Sequence, residues 1–203
     1  MPSYKVIYFQ GRGLAESTRM MLAFAGQDFE DVRYSAEDWA KHKEKTPFKQ
    51  LPILEVDSHP IPQSRAMHGF VAREYGLNGA NNEETTKIDI VLAVLDDVRI
   101  PLARIRFHEK DEAKKKQQLE EFYANTTPKF LTGLENLLKT NNGGDSFFVG
   151  SKISRADIVF HVISENLPEE ELKKYPKLFA LRDRISKDAK IAAYLAKRPV
   201  TAW

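Results

Sequence analysis

The chain has 203 residues, 42% of them hydrophobic and 30% charged, with a net charge of +2 and no cysteine. That balance describes a folded chain long enough for two modest domains, and it is too weakly basic to point to nucleic acid or an acidic membrane as a partner. Without cysteine there is no disulfide and no protein thiol, so any sulfur chemistry must arrive with a substrate. No apolar run reaches the ~18 residues that a membrane span needs, and the first residues lack a signal peptide's apolar core, so a cytoplasmic location is expected.

Tyr4–Phe9 is β-branched and aromatic and predicts a buried strand. Gly11-Arg12-Gly13 follows as a tight loop. Leu14, Thr18, Met21, Leu22 and Ala25 then recur at helical spacing, with Gly26 placed as a C-cap. Residues 29–34 predict a second strand, and 36–45 a short helix containing Trp39. Ile53–Val56 and His59–Pro62 predict a hairpin around Asp57-Ser58. Ser64 is expected to cap a helix whose inner face carries Met67, Phe70, Val71 and Tyr75. The order βαβαββα predicts a small α/β domain over residues 1–78.

Beyond the linker at 76–82 the strand signals nearly vanish. Ile88, Val91, Leu95, Val98, Leu102 and Ile105 form the apolar seam of a long helix that Pro101 is expected to kink. A second long helix over 112–139 is expected to bend near Pro128. Ser154-Arg155-Ala156-Asp157 has the spacing of a capping box. Residues 83–203 therefore predict an all-helical domain.

Gly11-x-Gly13 between a strand and a helix suggests a dinucleotide loop, but the third glycine of that fingerprint would fall at Glu16, whose carboxylate would repel pyrophosphate. The five histidines show no metal-ligand spacing, and Asp96-Asp97 is better read as a solvated helix face than as a metal site. No metal is expected. Tyr8 sits near a strand end, where a phenol either packs in the core or faces a cleft. Other residues give it company. Leu51-Pro52, ahead of an apolar strand, is expected to turn the chain and leave the Leu51 N–H and C=O unpaired. Gln63-Ser64 sets an amide and a helix N-terminus where a carboxylate is welcome. Trp39 and Lys43, four residues apart, offer an indole N–H and a cation on one helical face. A ligand with a carboxylate at each end, a peptide centre and a group reaching Tyr8 would satisfy all of them.

These residues, with Ala15-Glu16…Arg19, Gly143-Gly144-Asp145…Phe147-Phe148-Val149-Gly150, Tyr175-Pro176-Lys177-Leu178 and Lys190-Ile191-Ala192-Ala193-Tyr194-Leu195, resemble the cytosolic glutathione S-transferases over essentially the whole chain. The sigma class, with its invertebrate and molluscan members, is the most similar. The resemblance implies a thioredoxin-like first domain with a cis Pro52, an all-helical second domain and a homodimer. It implies glutathione as co-substrate, with Tyr8 donating to its sulfur. Trp39 and Lys43 would hold the glycine carboxylate, and Gln50, Leu51 and Pro52 would flank the cysteinyl backbone. Gln63 and Ser64 would hold the γ-glutamyl end, which Asp97 would reach from the neighbouring subunit. An electrophile pocket is implied at Phe9, Gly13, Leu14, Arg99, Arg104, Phe160 and Trp203. Leu14 stands where many sigma members have arginine, and Ala93 replaces an acid of the divalent-metal patch in vertebrate prostaglandin D synthases. The function implied is conjugation of glutathione to small hydrophobic electrophiles. A catalytically weak crystallin-like protein and a glutathione-dependent prostaglandin D isomerase are the alternatives.

Overall fold

The computed structural model describes residues 2–201. Two compact units divide it. One runs to Asn78 and takes in the segment from Ser186 onward; the other is Gly79–Ile185.

In the first unit, β1 (Tyr4–Phe9), β2 (Glu30–Tyr34), β3 (Ile53–Val56) and β4 (His59–Pro62) form one sheet in the order β2-β1-β3-β4. β1 runs parallel to β2, with Tyr8 opposite Arg33, and antiparallel to β3, with Val6 opposite Leu54. Val6 and Leu54 are fully buried, which fixes this register because a one-residue slip would turn both toward water. Asp57 and Ser58 close the β3–β4 hairpin at φ 48° and 68°, the geometry of a type I′ turn. The Asp57 carboxylate is itself held by the Ser3 N–H at 2.8 Å.

A 3-10 turn at Gly13–Ala15 leads into α1 (Glu16–Ala25), which buries Met20, Met21 and Leu22 completely. Gly26, at φ 73°, ends it in the left-handed region, and the Gln27 N–H returns to the Leu22 carbonyl at 2.9 Å. α2 (Ala36–His42) starts at a capping box. Ser35 Oγ accepts from the Asp38 N–H at 3.1 Å, and the Asp38 carboxylate accepts from the Ser35 N–H at 3.1 Å. α3 (Ser64–Glu74) packs on α1 through Met67 and Val71. Ser64 is its first residue, not its cap. The chain leaves β4 through Gln63 at φ 71°, so the first intrahelical bond, Met67 N–H to Gln63 O at 3.0 Å, begins one position earlier than expected.

The second unit is helical: α4 (Asn82–His108), α5 (Glu112–Glu121), α6 (Thr127–Lys139), α7 (Arg155–Ser164), α8 (Glu169–Lys173) and α9 (Pro176–Ser186). Ile88, Val91, Leu95, Val98 and Leu102 are all buried along α4, which continues as a single 27-residue helix through Pro101. A π turn at Phe122–Thr126 joins α5 to α6, with the Thr127 N–H reaching the Phe122 carbonyl. It lies just ahead of Pro128. Widening the turn there relieves the clash between a proline ring and the carbonyl four residues back.

The last helix, α10 (Ala189–Lys197), makes its contacts with the first unit. It packs on α1, where the buried Glu16 carboxylate accepts from the Tyr194 hydroxyl at 3.1 Å and Arg198 Nη1 at 2.8 Å.

Every residue of α7 is buried. Its capping Asp157 accepts from the Ser154 N–H at 2.8 Å, the Ser154 hydroxyl at 2.6 Å and the Phe148 N–H at 2.9 Å. Burial outweighs these bonds and pushes the Asp157 carboxyl up to about 6. Between roughly pH 4 and 6 the folded chain therefore holds a proton that the unfolded chain has released, so this group's contribution to stability falls as pH rises through that window. Lowering the pH from 7 to 5 is expected to stabilise the wild type by about 1 kcal/mol more than it stabilises Asp157→Asn, measured by urea unfolding of both at each pH.

Candidate functional site

A cleft of about 420 Å³ opens in the first unit where several elements end. Phe9 from the end of β1, Leu14 from the following turn and Trp39 from α2 line one part. Phe48, Lys49, Gln50, Leu51 and Pro52, with Pro62, Gln63 and Ser64, line the rest. Volumes of this size suit a small-molecule ligand.

Trp39 is fixed by the capped start of α2, and its ring meets Phe9 edge-on at 5.8 Å between centroids. Lys43 follows one turn later, its N–H bonded to the Trp39 carbonyl, with its side chain exposed beyond the cleft lining. The Leu51–Pro52 bond is cis. Among the described residues no hydrogen bond uses the Leu51 N–H or C=O, so both are available to an extended ligand. Gln63 donates weakly to Gln50 Oε1 at 3.4 Å and brings the corner before α3 to the loop before β3. Its φ of 71° is unusual for a residue with a β-carbon, and such conformations concentrate at ligand clamps. Gln63 makes no side-chain cap, so the start of α3, with the Ser64 hydroxyl, borders the cleft with backbone amides and a positive dipole end.

Tyr8 is not itself among the cleft-lining residues; it is 7% exposed, next along β1 from Phe9 and 5.4 Å from its ring. Gly13 sits directly on it. A β-carbon at Gly13 would fall 2.6 Å from both Tyr8 Oη and Cε1, and the residue's φ is +39°. Glycine is required there twice over, by close approach and by conformation.

Phe48, Lys49 and Pro62 were not anticipated. Phe48 is 61% exposed beside the cleft, and Lys49, at φ 53°, pairs with Glu44 at 2.6 Å. Their only sequence signal is adjacency to the Leu-Pro corner and to Gln63.

The remaining expected residues lie in the second unit. Asp97 and Arg104 are exposed on α4, and Arg99 binds Asp96 through Nε at 2.9 Å and Nη2 at 2.8 Å. Phe160 lies in α7. It is 1% exposed and packs edge-on against Phe148, so its ring serves the core of the helical unit. Trp203 lies outside the described residues. Among the described residues no group of three His, Asp or Glu is placed to hold a metal.

Residues 4–73 match the family model of the glutathione S-transferase N-terminal domain, and 96–198 match that of the C-terminal domain. S-crystallin SL11 of Nototodarus sloanii is 40% identical over 207 residues, covering 100% of both chains. Hematopoietic prostaglandin D synthase of Gallus gallus is 38% identical, again over 100% of both. The structure of prostaglandin synthase D of Nilaparvata lugens superposes with a TM-score of 0.89 at 35% identity, covering 98% of this chain and 100% of that one. The first match contains the whole cleft and the second most of the helical unit: the chain belongs to the glutathione S-transferase family.

Proposed function

We propose that the protein is a sigma-class glutathione transferase that conjugates glutathione to small hydrophobic electrophiles in the cytoplasm, acting as a homodimer. The observation that carries this is the unpaired backbone of Leu51 in the same cleft as the start of α3 and Trp39. An extended tripeptide with a carboxylate at each end fits that donor set. Leu51 exchanges backbone hydrogen bonds with its centre. Ser64 and the α3 N-terminus bind one terminal carboxylate, and Trp39 Nε1 and Lys43 bind the other. Asp97, exposed on α4, serves the γ-glutamyl amine bound to a partner subunit.

Glutathione supplies the thiol that the chain lacks. A free thiol with a pKa near 8.5 is only ~3% ionised at pH 7. Lowering that pKa by roughly 2 units requires about 2.7 kcal/mol of preferential stabilisation of the anion. One hydrogen bond to a charged acceptor contributes about 1.5–3 kcal/mol, so the Tyr8 hydroxyl as donor is sufficient in size. Leu14 adds an apolar wall without charge. The sequence match to S-crystallin SL11 supports a second reading, a binding protein with little turnover, and the match to the Gallus gallus synthase supports a prostaglandin isomerase. Retention on immobilised glutathione, followed by parallel assays with chlorodinitrobenzene and prostaglandin H2, separates the three. Failure to bind glutathione would sink the proposal.

In Tyr8→Phe, glutathione affinity is expected to persist while conjugation slows about 10- to 150-fold and the bound thiol's pKa rises by 1–2 units; stopped-flow rates and thiolate absorbance against pH measure both. Gly13→Ala is expected to displace the phenol, lowering kcat at least ~10-fold with little change in KM for glutathione, and to cost about 1–3 kcal/mol of stability through its left-handed backbone. Steady-state kinetics and urea unfolding check the two effects.

A further inference from the structure

Arg19 of α1 has a completely buried side chain. Its Nε donates to Asp31 Oδ1 at 2.8 Å, and its Nη1 lies 3.3 Å from Glu16 Oε2. The same Nη1 also donates to the carbonyl oxygens of Gly11 at 3.0 Å and Arg12 at 3.3 Å. Nη2 has no hydrogen-bond partner among the described residues. A buried guanidinium with an unsatisfied nitrogen is a costly way to fill a helix–sheet interface that an aliphatic residue would fill well. What an aliphatic residue could not do is grip two backbone carbonyls. Those carbonyls belong to the loop whose next residue, Gly13, rests on the Tyr8 phenol.

The grip is braced from two directions. Asp31 takes Arg33 Nε on its other oxygen at 2.8 Å, and Arg33 Nη1 reaches the Gly11 carbonyl at 3.4 Å. Glu16, itself fully buried, gives its other oxygen to Tyr194 and Arg198 of the C-terminal segment. Burial and the Glu16 charge hold the Tyr194 phenol's pKa well above its ordinary value, so it remains a donor.

We infer that Arg19 is a positioning residue for the Tyr8 phenol: it fixes the Gly11-Arg12 backbone so that Gly13 seats against the hydroxyl, with Glu16, Tyr194 and Arg198 bracing it from the end of the chain. The inference rests on the role assigned to Tyr8 above. Lysine at position 19 would keep the charge but lose the planar fork that spans two carboxylates and two carbonyls. The loop then relaxes and the phenolic proton drifts from the sulfur, while Leu51, Trp39 and Ser64 stay in place.

The test compares wild type, Arg19→Lys and Arg198→Gln for kcat, KM for glutathione, and the pH dependence of bound-thiolate absorbance. In Arg19→Lys, kcat is expected to fall 10-fold or more, KM to stay within twofold, and the thiol titration to move up by about one unit. Arg198→Gln, at the outer end of the brace, should move all three in the same direction by a smaller amount, and it decides the matter if Arg19→Lys does not fold. A folded variant whose loss lies in KM, or whose titration is unmoved, overturns the inference. If the wild type binds no glutathione, the functional assignment falls separately. The positioning role is then read from the ultraviolet titration of the Tyr8 phenol, taken as wild type minus Tyr8→Phe. That titration must shift in Arg19→Lys, and an unchanged one overturns the role.

Discussion

No room exists for a side chain between the first loop and the Tyr8 ring, since a β-carbon at position 13 would stand 2.6 Å from the phenolic oxygen. That single contact couples the end of β1 to everything that fixes the loop. The loop carbonyls are bound to Arg19, Arg19 to Glu16 and Asp31, and Glu16 to the last helix. Packing against glycine sets where the phenol points, because a buried ring with a backbone on its edge has little freedom to rotate away. The phenol gains a fixed direction from rigid surroundings.

The rest of the cleft follows a different logic. Its polar groups are the ones that secondary structure leaves over. Leu51 stands two residues before β3 begins, Gln63 between β4 and α3, and Ser64 at the first position of a helix with no side-chain cap. Strand interiors and helix interiors satisfy their own N–H and C=O groups, so they provide stiffness and little recognition. Here the ends of several elements converge, and much of what they present to the cleft is backbone that mutation cannot easily remove. Trp39 supplies apolar wall and a donor together, oriented by a capping box four residues before it.

Much of this was legible in the sequence. The β1 strand and the β3–β4 hairpin fall where β-branched and aromatic content and the Asp57-Ser58 turn put them, and Gly26 ends α1 as expected. Trp39, Leu51, Gln63 and Ser64 stood out because their residue types carry a donor, an unpaired backbone or a helix start at short spacing. Three kinds of feature were not legible. Position 63 adopts a positive φ without being glycine, which shifted the α3 cap from Ser64 to Gln63. Burial of Phe160 against Phe148 depends on tertiary packing, since a helix buried on every side carries no mark in its sequence of what each face meets. The meeting of Glu16 with Arg198 spans 182 residues and leaves no periodic trace. The Ser35–Asp38 box, by contrast, has the same Ser-x-x-Asp spacing as Ser154–Asp157 and is legible in the sequence.

The first unit is assembled from two separate stretches of sequence, with that of the helical unit between them. As the ribosome delivers the chain, the sheet and α1 emerge early, but the tyrosine and arginine that complete the surroundings of Glu16 follow it by 178 and 182 residues. Until then this carboxylate must stay hydrated or share its lone cation, and α1 keeps one face uncovered. The nascent first unit is thus an unfinished object until α10 has emerged, and arrival of that helix is what lets it close.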